Sequence, residues 1–232
     1  MGFFYMDRYY LILVVPALII SMIAQIQVKS TFHKYSKIGN SKHMTGAEVA
    51  RYLLQVNGIQ DVEVTQVGGQ LTDHYDPRKK VLRLSESTYG STSVAAIGVA
   101  AHETGHAIQH KVKYGPLVLR STLVPVAGFG SSAGPYIAIL GLFLGWPIII
   151  NIGLLLFFAA ILFYLVTLPV EFNASKRAIS VLGSTGILMS EELHSAKKVL
   201  NAAAMTYVAS ALVAIASFLR LLLLANQRRN RD

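Results

Sequence analysis

The sequence predicts a mainly α membrane protein with three to four transmembrane helices and a small cytoplasmic α+β region. Of its 232 residues, 53% are hydrophobic and only 14% are charged, whereas soluble domains carry about 25% charged residues. Long uncharged apolar runs alternate with segments of soluble composition. The 21 Lys and Arg outnumber the 12 Asp and Glu, and many lie beside the apolar runs, as topology signals do.

The first predicted transmembrane helix lies in residues 1–28. The run from Tyr9 to Ile26 carries no charge and is long enough to cross roughly 30 Å of hydrocarbon as a helix. A signal peptide is the competing interpretation, but the run lacks a basic start and a small-residue cleavage pattern. Four lysines follow the run, which places the N-terminus outside and the next segment in the cytoplasm: Lys29, Lys34, Lys37 and Lys42.

Residues 29–115 form the predicted cytoplasmic α+β region. Thr45 followed by Glu48 is a capping box that starts a short helix, and this helix ends at Asn57. Residues 91–110 are rich in Ala and Val and contain no proline. They predict a second helix that is largely buried.

Two segments between these helices alternate apolar and polar side chains. Residues 59–67 and 79–85 have this pattern, and Gly68-Gly69 and Asp76-Pro77 lie between them as turn signals. We interpret the two segments as strands of a small antiparallel sheet.

The second half of the chain is mostly apolar. Residues 116–168 predict transmembrane helices 2 and 3, the first of them irregular or closely packed because it contains several glycines and prolines. Residues 169–201 predict a cytoplasmic helical region. Residues 202–232 predict a C-terminal helix with a basic tail, and this helix is interrupted by Arg220. A full crossing would place three arginines outside, so both a transmembrane and an interfacial helix stay open: Arg228, Arg229 and Arg231.

The buried helix contains the pattern His-Glu-x-x-His. His102 and His106 lie one turn apart on one helix face, so both imidazoles can bind a single Zn²⁺, with Glu103 beside the open position. Zinc lowers the pKa of a bound water to about 7, and an adjacent carboxylate can take its proton during attack on a peptide carbonyl. The chain has no cysteine, so the remaining ligands must come from histidine or carboxylate.

A catalytic zinc site needs a third protein ligand. The metzincin spacing would place a histidine at position 112, which is Val112, and His110 is too close in sequence to fit that pattern. No Asp or Glu occurs between Ala107 and Val170, so Glu171 is the first carboxylate after the motif. Two membrane crossings separate His106 from Glu171 and return the chain to the same side. We therefore predict Glu171 as the third ligand.

These residues carry a resemblance to a known family. The His102-Glu103-x-x-His106 motif, two apolar spans and the segment that begins Glu171-Phe172-Asn173 resemble bacterial membrane zinc metallopeptidases of the YugP type, which are similar to the HtpX and Ste24 membrane proteases. The resemblance covers nearly the whole chain. It implies a zincin-like (gluzincin) catalytic region with one Zn²⁺ per chain.

The resemblance also implies a substrate site and outer hydrogen bonds. HtpX and Ste24 relatives have an Asp four residues after the third ligand, where this chain has Ser175. Ser175, Asn173 or Asp76 would then accept a hydrogen bond from a zinc-binding histidine. The strand with Val81, Leu82, Arg83 and Leu84 is implied to be an edge to which an extended substrate adds. Further candidates, for the transition state or the outer hydrogen bonds, are His74, His110, His194, Arg177 and Tyr207.

Together these observations predict a zinc metalloendopeptidase in the bacterial plasma membrane, multi-pass, with its site facing the cytoplasm. Its partners are the lipid bilayer and a membrane-proximal or misfolded polypeptide, and an oligomer is compatible with the sequence. The alternative is a non-catalytic membrane scaffold or adaptor with a structural zinc, which would need a fourth protein ligand such as His110 or His194. No nucleic acid partner is expected, because the basic residues flank the spans instead of forming one patch with interleaved aromatics.

Overall fold

The computed structural model describes residues 7–229, so predictions that concern residues 1–6 and 230–232 lie outside the described residues. A π-helical segment, Tyr10–Val14, leads into the first α-helix. The elements follow in this order: α1 (Val15–Tyr35), α2 (Gly46–Val56), β1 (Glu63–Val67), β2 (His74–Asp76), β3 (Val81–Ser85), α3 (Glu86–Tyr89), α4 (Val94–Lys111), α5 (Gly115–Leu144), α6 (Pro147–Ser184) and α7 (Ser190–Arg229).

The chain folds into two units. The helical unit contains Val118–Leu168, the first segment of the chain up to Gln25 and the last segment from Met205. The α+β unit contains Ile26–Leu117 and Pro169–Ala204. Within residues 7–229, four helices are long and apolar enough to cross a membrane, namely α1 with its π-helical start, α5, α6 and α7. The prediction of a mainly helical chain with three to four helices of membrane-spanning length and composition is confirmed.

In the helical unit, α5 and α6 approach each other closely at glycines. A Cβ added to Gly130 of α5 would lie 2.1 Å from the Leu156 carbonyl oxygen of α6. A Cβ on Gly153 of α6 would lie 2.3 Å from the Ala138 nitrogen of α5. Small residues permit this approach of two backbones, and α5 continues through both of its prolines. The closely packed span is confirmed.

Two arginines of α7 have partners in the helical unit. Arg220 pairs with Asp7, with Nη2 2.7 Å from Oδ2. Arg228 donates to the Leu142 carbonyl near the end of α5, where helix carbonyls lack partners within the helix. A paired charge is far less costly in an apolar environment than an isolated one. The arginine within the last apolar run therefore does not interrupt α7.

The sheet of the α+β unit has the strand order β1-β3-β2. β1 and β3 are parallel, with Glu63 opposite Val81, and β2 is antiparallel to β3. The predicted antiparallel pairing of residues 59–67 with 79–85 is therefore wrong. Residues 68–80 form a crossover of the length that parallel pairing requires, and that crossover contains β2, which pairs with the far side of β3.

β3 is the central strand, so the predicted substrate edge at Val81, Leu82, Arg83 and Leu84 is wrong for the first three residues, which have a neighbouring strand on each side. β1 pairs along all five residues of β3, and β2 pairs with its first three. Leu82 and Leu84 are fully buried and pack against α4 and α2. A strand that has a neighbour on each side cannot accept a further strand.

Helix α4 is the centre of the α+β unit. Its start is capped by Ser93, whose hydroxyl accepts from the Ala96 N–H. One face of α4, including Ala100 and Ile108, packs on the sheet, while Ile97 and Ala101 pack against α6 and α7. Most residues of α4 are thus buried, as the sequence predicts. The predicted capping box of Thr45 and Glu48 on α2 is present as well.

Candidate metal centre

Three side chains that could hold a metal ion meet in the α+β unit. His102 and His106 come from α4 and Glu171 comes from α6, and their ligand atoms all lie within 4.8 Å of one another. Glu171 Oε2 is 3.3 Å from His102 Nε2 and 3.5 Å from His106 Nε2. The two imidazoles are 14% and 12% exposed and the carboxylate is 2% exposed. The structure therefore brings together the three residues that the sequence predicts as ligands.

Gly105 permits the two helices to come this close. A Cβ at this position would lie 2.6 Å from the Ala174 carbonyl oxygen of α6, which is well inside van der Waals contact. Any larger residue would push α4 away from the turn of α6 that carries Glu171. Sequence analysis missed this role, although Gly105 lies inside the His-Glu-x-x-His motif, where a glycine in a helix interior is itself a signal.

Both imidazoles are held through their Nδ1 atoms. His102 Nδ1 is 3.1 Å from Ser175 Oγ, and His106 Nδ1 is 3.0 Å from Gln109 Oε1. The Nε2 atoms are thereby directed toward Glu171. Two imidazole nitrogens and one carboxylate oxygen form a donor set that zinc prefers in catalytic sites. The residues present fit a zinc ion.

The electrostatics of the cluster also favour a cation. Burial alone would lower the pKa of the His106 imidazole, but the Glu171 and Glu103 carboxylates outweigh burial and raise the pKa above its ordinary value. The negative potential that favours a protonated imidazole equally favours a bound metal ion.

Glu103 lies in the same buried region but outside the cluster of three. It is 8% exposed, and its charge contributes to the raised pKa of His106. In the part of the chain that the structure describes, no hydrogen bond or ion pair engages its carboxylate. A buried carboxylate without a protein partner is costly.

Of the three residues predicted to bond to a zinc-binding histidine, one does so directly. Ser175 bonds to His102. Asn173 is one bond further away, since its Oδ1 accepts from Arg177 Nε at 2.7 Å and from Gln109 Nε2 at 3.0 Å. Asp76 instead accepts backbone N–H groups of its own turn.

Gln109 is a second residue whose role sequence analysis missed. It is fully buried, and its Nε2 also donates to the Val170 carbonyl at 2.8 Å. The signal for it was a polar amide three residues after His106 on a helix whose other buried residues are mostly small or apolar.

The remaining predicted residues are not part of the cluster. His110 Nδ1 is 2.8 Å from Tyr75 Oη. His74 uses both ring nitrogens within the sheet, with the Thr72 carbonyl and with Arg83 Nη1. His194 is exposed on α7. Tyr207 belongs to the helical unit, and its role stays a prediction.

A cavity of about 460 Å³ lies beside the C-terminal end of α4. Ala107 and His110 of α4 line it together with Tyr75 of β2. Burial raises the pKa of Tyr75 to about 12, assisted by Asp61 and Asp76, so its hydroxyl stays protonated at neutral pH and can donate to His110. The cavity begins one residue after His106 along the helix.

Comparisons with known proteins agree with a metal site. A family model described as "Putative neutral zinc metallopeptidase" matches residues 10–226. A protein of Bacillus subtilis (strain 168) named "Putative membrane protease YugP" is 49% identical over 215 residues, which cover 93% of this chain and 96% of that protein. No solved structure matches the chain. The matched residues include the cluster of three and Glu103.

Proposed function

Because the chain belongs to this family of zinc metallopeptidases, we propose that it is a membrane-embedded zinc-dependent endopeptidase. The observation that carries the proposal is the buried cluster of His102, His106 and Glu171 beside an unbonded Glu103. Three protein ligands leave one coordination position open, as catalytic zinc sites require.

Each residue has a distinct proposed role. His102 and His106 hold one Zn²⁺ per chain through Nε2, and Glu171 holds it through its carboxylate. Zinc supplies a Lewis acid that polarises a carbonyl and lowers the pKa of water. Glu103 accepts the proton of the attacking water and delivers it to the leaving amine as general base and then general acid.

We propose that the α+β unit is a zincin-like, gluzincin catalytic region that faces the cytoplasm of a bacterium. The support comes from charge distribution, because four lysines lie in and just after the last turns of α1, whereas Arg8 is the single basic residue before it among residues 7–14. The positive-inside rule then places the N-terminus outside the plasma membrane. The proposed limits of the five segments, from residues 1–28 to 202–232, rest on the same argument.

The proposed substrate is a polypeptide, membrane-proximal or misfolded, that binds in extended form. Since β3 is central, the strand that accepts the substrate must be an outer one, and β2 is the outer strand that contacts α4. Tyr75 of β2 is tied to His110 one turn beyond His106, so the edge of β2 and the adjoining cavity suit a peptide backbone and one side chain. Among the oxyanion candidates, His194, Arg177 and Tyr207 stay predictions.

The alternative function, a scaffold with a structural zinc, differs from the endopeptidase in the number of protein ligands that its zinc site needs. A closed site needs a fourth protein ligand. Within residues 7–229, the cluster comprises three metal-binding groups, and neither His110 nor His194 is one of them. This arrangement favours the endopeptidase.

The decisive experiment is substitution Glu103→Gln in the full chain in detergent or lipid. We expect unchanged zinc content and a loss of hydrolysis of fluorescein-labelled casein of about 10²- to 10⁴-fold, because a general acid–base contributes that much. Glu63→Gln, an exposed acid of β1, is the matched control and should retain full hydrolysis. A folded, zinc-loaded Glu103→Gln protein that hydrolyses the labelled casein at the wild-type rate would contradict the proposal.

A further inference from the structure

Gln109 lies at the junction of two helices, fully buried, and both its amide nitrogen and its amide oxygen have partners. Its Nε2 donates to the Val170 carbonyl at 2.8 Å and to Asn173 Oδ1 at 3.0 Å, both on α6. Its Oε1 is 3.0 Å from His106 Nδ1. Every hydrogen bond of this side chain therefore leads either to α6 or to the zinc cluster.

The orientation of the Gln109 amide is forced by its neighbours. A backbone carbonyl only accepts, so the group facing Val170 must be the amide nitrogen. Asn173 must also present its oxygen, because the same atom accepts from Arg177 Nε at 2.7 Å, and a guanidinium has donors only and keeps its proton at any physiological pH. With its nitrogen committed to two acceptors, Gln109 has only its oxygen left for His106.

The orientation of the Gln109 amide determines which nitrogen of the His106 imidazole carries the proton. An oxygen facing Nδ1 requires that Nδ1 carry the proton, and the neutral ring then has its lone pair on Nε2. Nε2 is the atom that faces Glu171 at 3.5 Å. The tautomer of His102 is not fixed in this way, because its partner Ser175 is a hydroxyl that can either donate or accept. The structure thus fixes one ligand and leaves the other adjustable.

We propose that Gln109 is a positioning residue that sets the tautomer and ring direction of His106, through a hydrogen-bond chain that begins at Arg177 and runs through Asn173. The proposal rests on the zinc site proposed above, which it deepens. It assigns the outer partner of His106 to a neutral amide, where many zinc histidines use a carboxylate or a backbone carbonyl. The zinc site is therefore supported by two neutral partners, a hydroxyl and an amide.

The test is substitution Gln109→Met, which keeps the length of the side chain and removes its polar atoms. The zinc dissociation constant, measured on the full chain by competition with a chelator, should rise about 10- to 100-fold, the usual effect of losing an outer partner of a zinc ligand. Gln55→Met, at an exposed position of α2, should leave it unchanged. A folded Gln109→Met protein with the wild-type dissociation constant would overturn the proposal, even if its thermal stability were lower.

A second measurement needs no variant at this position. In zinc-free protein labelled with ¹⁵N-histidine, at a pH where the ring is neutral, the nitrogen resonances of His106 should show a protonated Nδ1 and an unprotonated Nε2. The opposite tautomer would overturn the proposal. Neither the zinc dissociation constant nor the nitrogen resonances depend on hydrolysis. A protein that binds zinc in this way but cleaves no polypeptide would therefore contradict the proposed endopeptidase function and leave the role of Gln109 intact.

Discussion

Two pairs of histidines in the α+β unit differ in their burial and in where their ring nitrogens point. In the metal cluster, His102 and His106 are nearly buried, their Nδ1 atoms face neutral partners and their Nε2 atoms converge on Glu171. At the sheet, His74 and His110 are exposed, and their hydrogen bonds lead to neighbouring side chains and to a backbone carbonyl.

The difference shows that residue type and helical spacing are insufficient to identify a ligand. His110 follows His106 by one turn, just as His106 follows His102, yet its Nδ1 is bound to Tyr75, and among residues 7–229 it does not belong to the cluster of three. What distinguishes the two ligands is that each ring, held at Nδ1, directs its Nε2 to the same carboxylate, that of Glu171. The five variants that follow test this distinction in order of decreasing effect.

Glu171→Ala should have the largest effect, because it removes the carboxylate on which both rings converge. We expect zinc affinity to fall by more than about 100-fold, since loss of an outer partner alone costs up to that amount. Glu191→Ala, an exposed acid on α7, is the control and should bind zinc normally. Unchanged zinc content in Glu171→Ala, measured by atomic absorption, would contradict the account and point to Glu191 or Glu192 as the ligand.

Gly105→Ala should have the next largest effect. The new methyl group would meet the Ala174 carbonyl at 2.6 Å, and overpacking of this kind costs about 1 to 3 kcal/mol. We expect a lower unfolding temperature together with weaker zinc binding, because α4 moves away from Glu171. Gly98→Ala in the same helix is the matched control, since its methyl would lie 3.3 Å from the Ala196 Cβ. Equal zinc affinity in the two variants would refute a positioning role for Gly105.

Ser175→Ala should weaken zinc binding only about tenfold, the lower end of the range for outer partners. The hydroxyl holds His102 Nδ1 at 3.1 Å, but surrounding groups continue to confine the ring. Chelator competition measures the change. A larger loss of zinc affinity than in Gln109→Met would contradict the expectation that the Gln109 amide, which fixes its imidazole, matters more for zinc binding than the Ser175 hydroxyl.

His74→Ala and His110→Ala should have the smallest effects. Both residues are exposed, and substitutions at such positions usually change the free energy of unfolding by no more than about 0.5 kcal/mol. Zinc stoichiometry should stay at one per chain in both variants. Loss of zinc from His110→Ala would show a fourth protein ligand and favour the structural-zinc scaffold.

The sequence was sufficient for those parts of the site that depend on local pattern. Helical spacing predicts the pair on α4, and the absence of acids before Glu171 leaves one candidate on the returning helix. The roles of Gly105 and Gln109 were not predictable, because each depends on a contact with α6 more than 60 positions away. Such contacts leave no periodic trace in a single sequence.

The same limit explains the errors in the sheet. Alternating residues predict a strand but carry no information on its partner or direction. β2 has only three residues, His74–Asp76, too few for alternation to be visible, and its pairing with β3 turns the predicted edge into the central strand. Likewise, the helix around Arg220 is explained by Asp7, which lies at the opposite end of the sequence.

The most direct test of the central claim is a crystal structure of the zinc-loaded protein with anomalous scattering measured at the zinc absorption edge. The account predicts one strong peak within bonding distance, about 2.0 to 2.2 Å, of His102 Nε2, His106 Nε2 and a Glu171 carboxylate oxygen, with the fourth position filled by solvent. A peak bound elsewhere, or one completed by a fourth protein side chain, would contradict it.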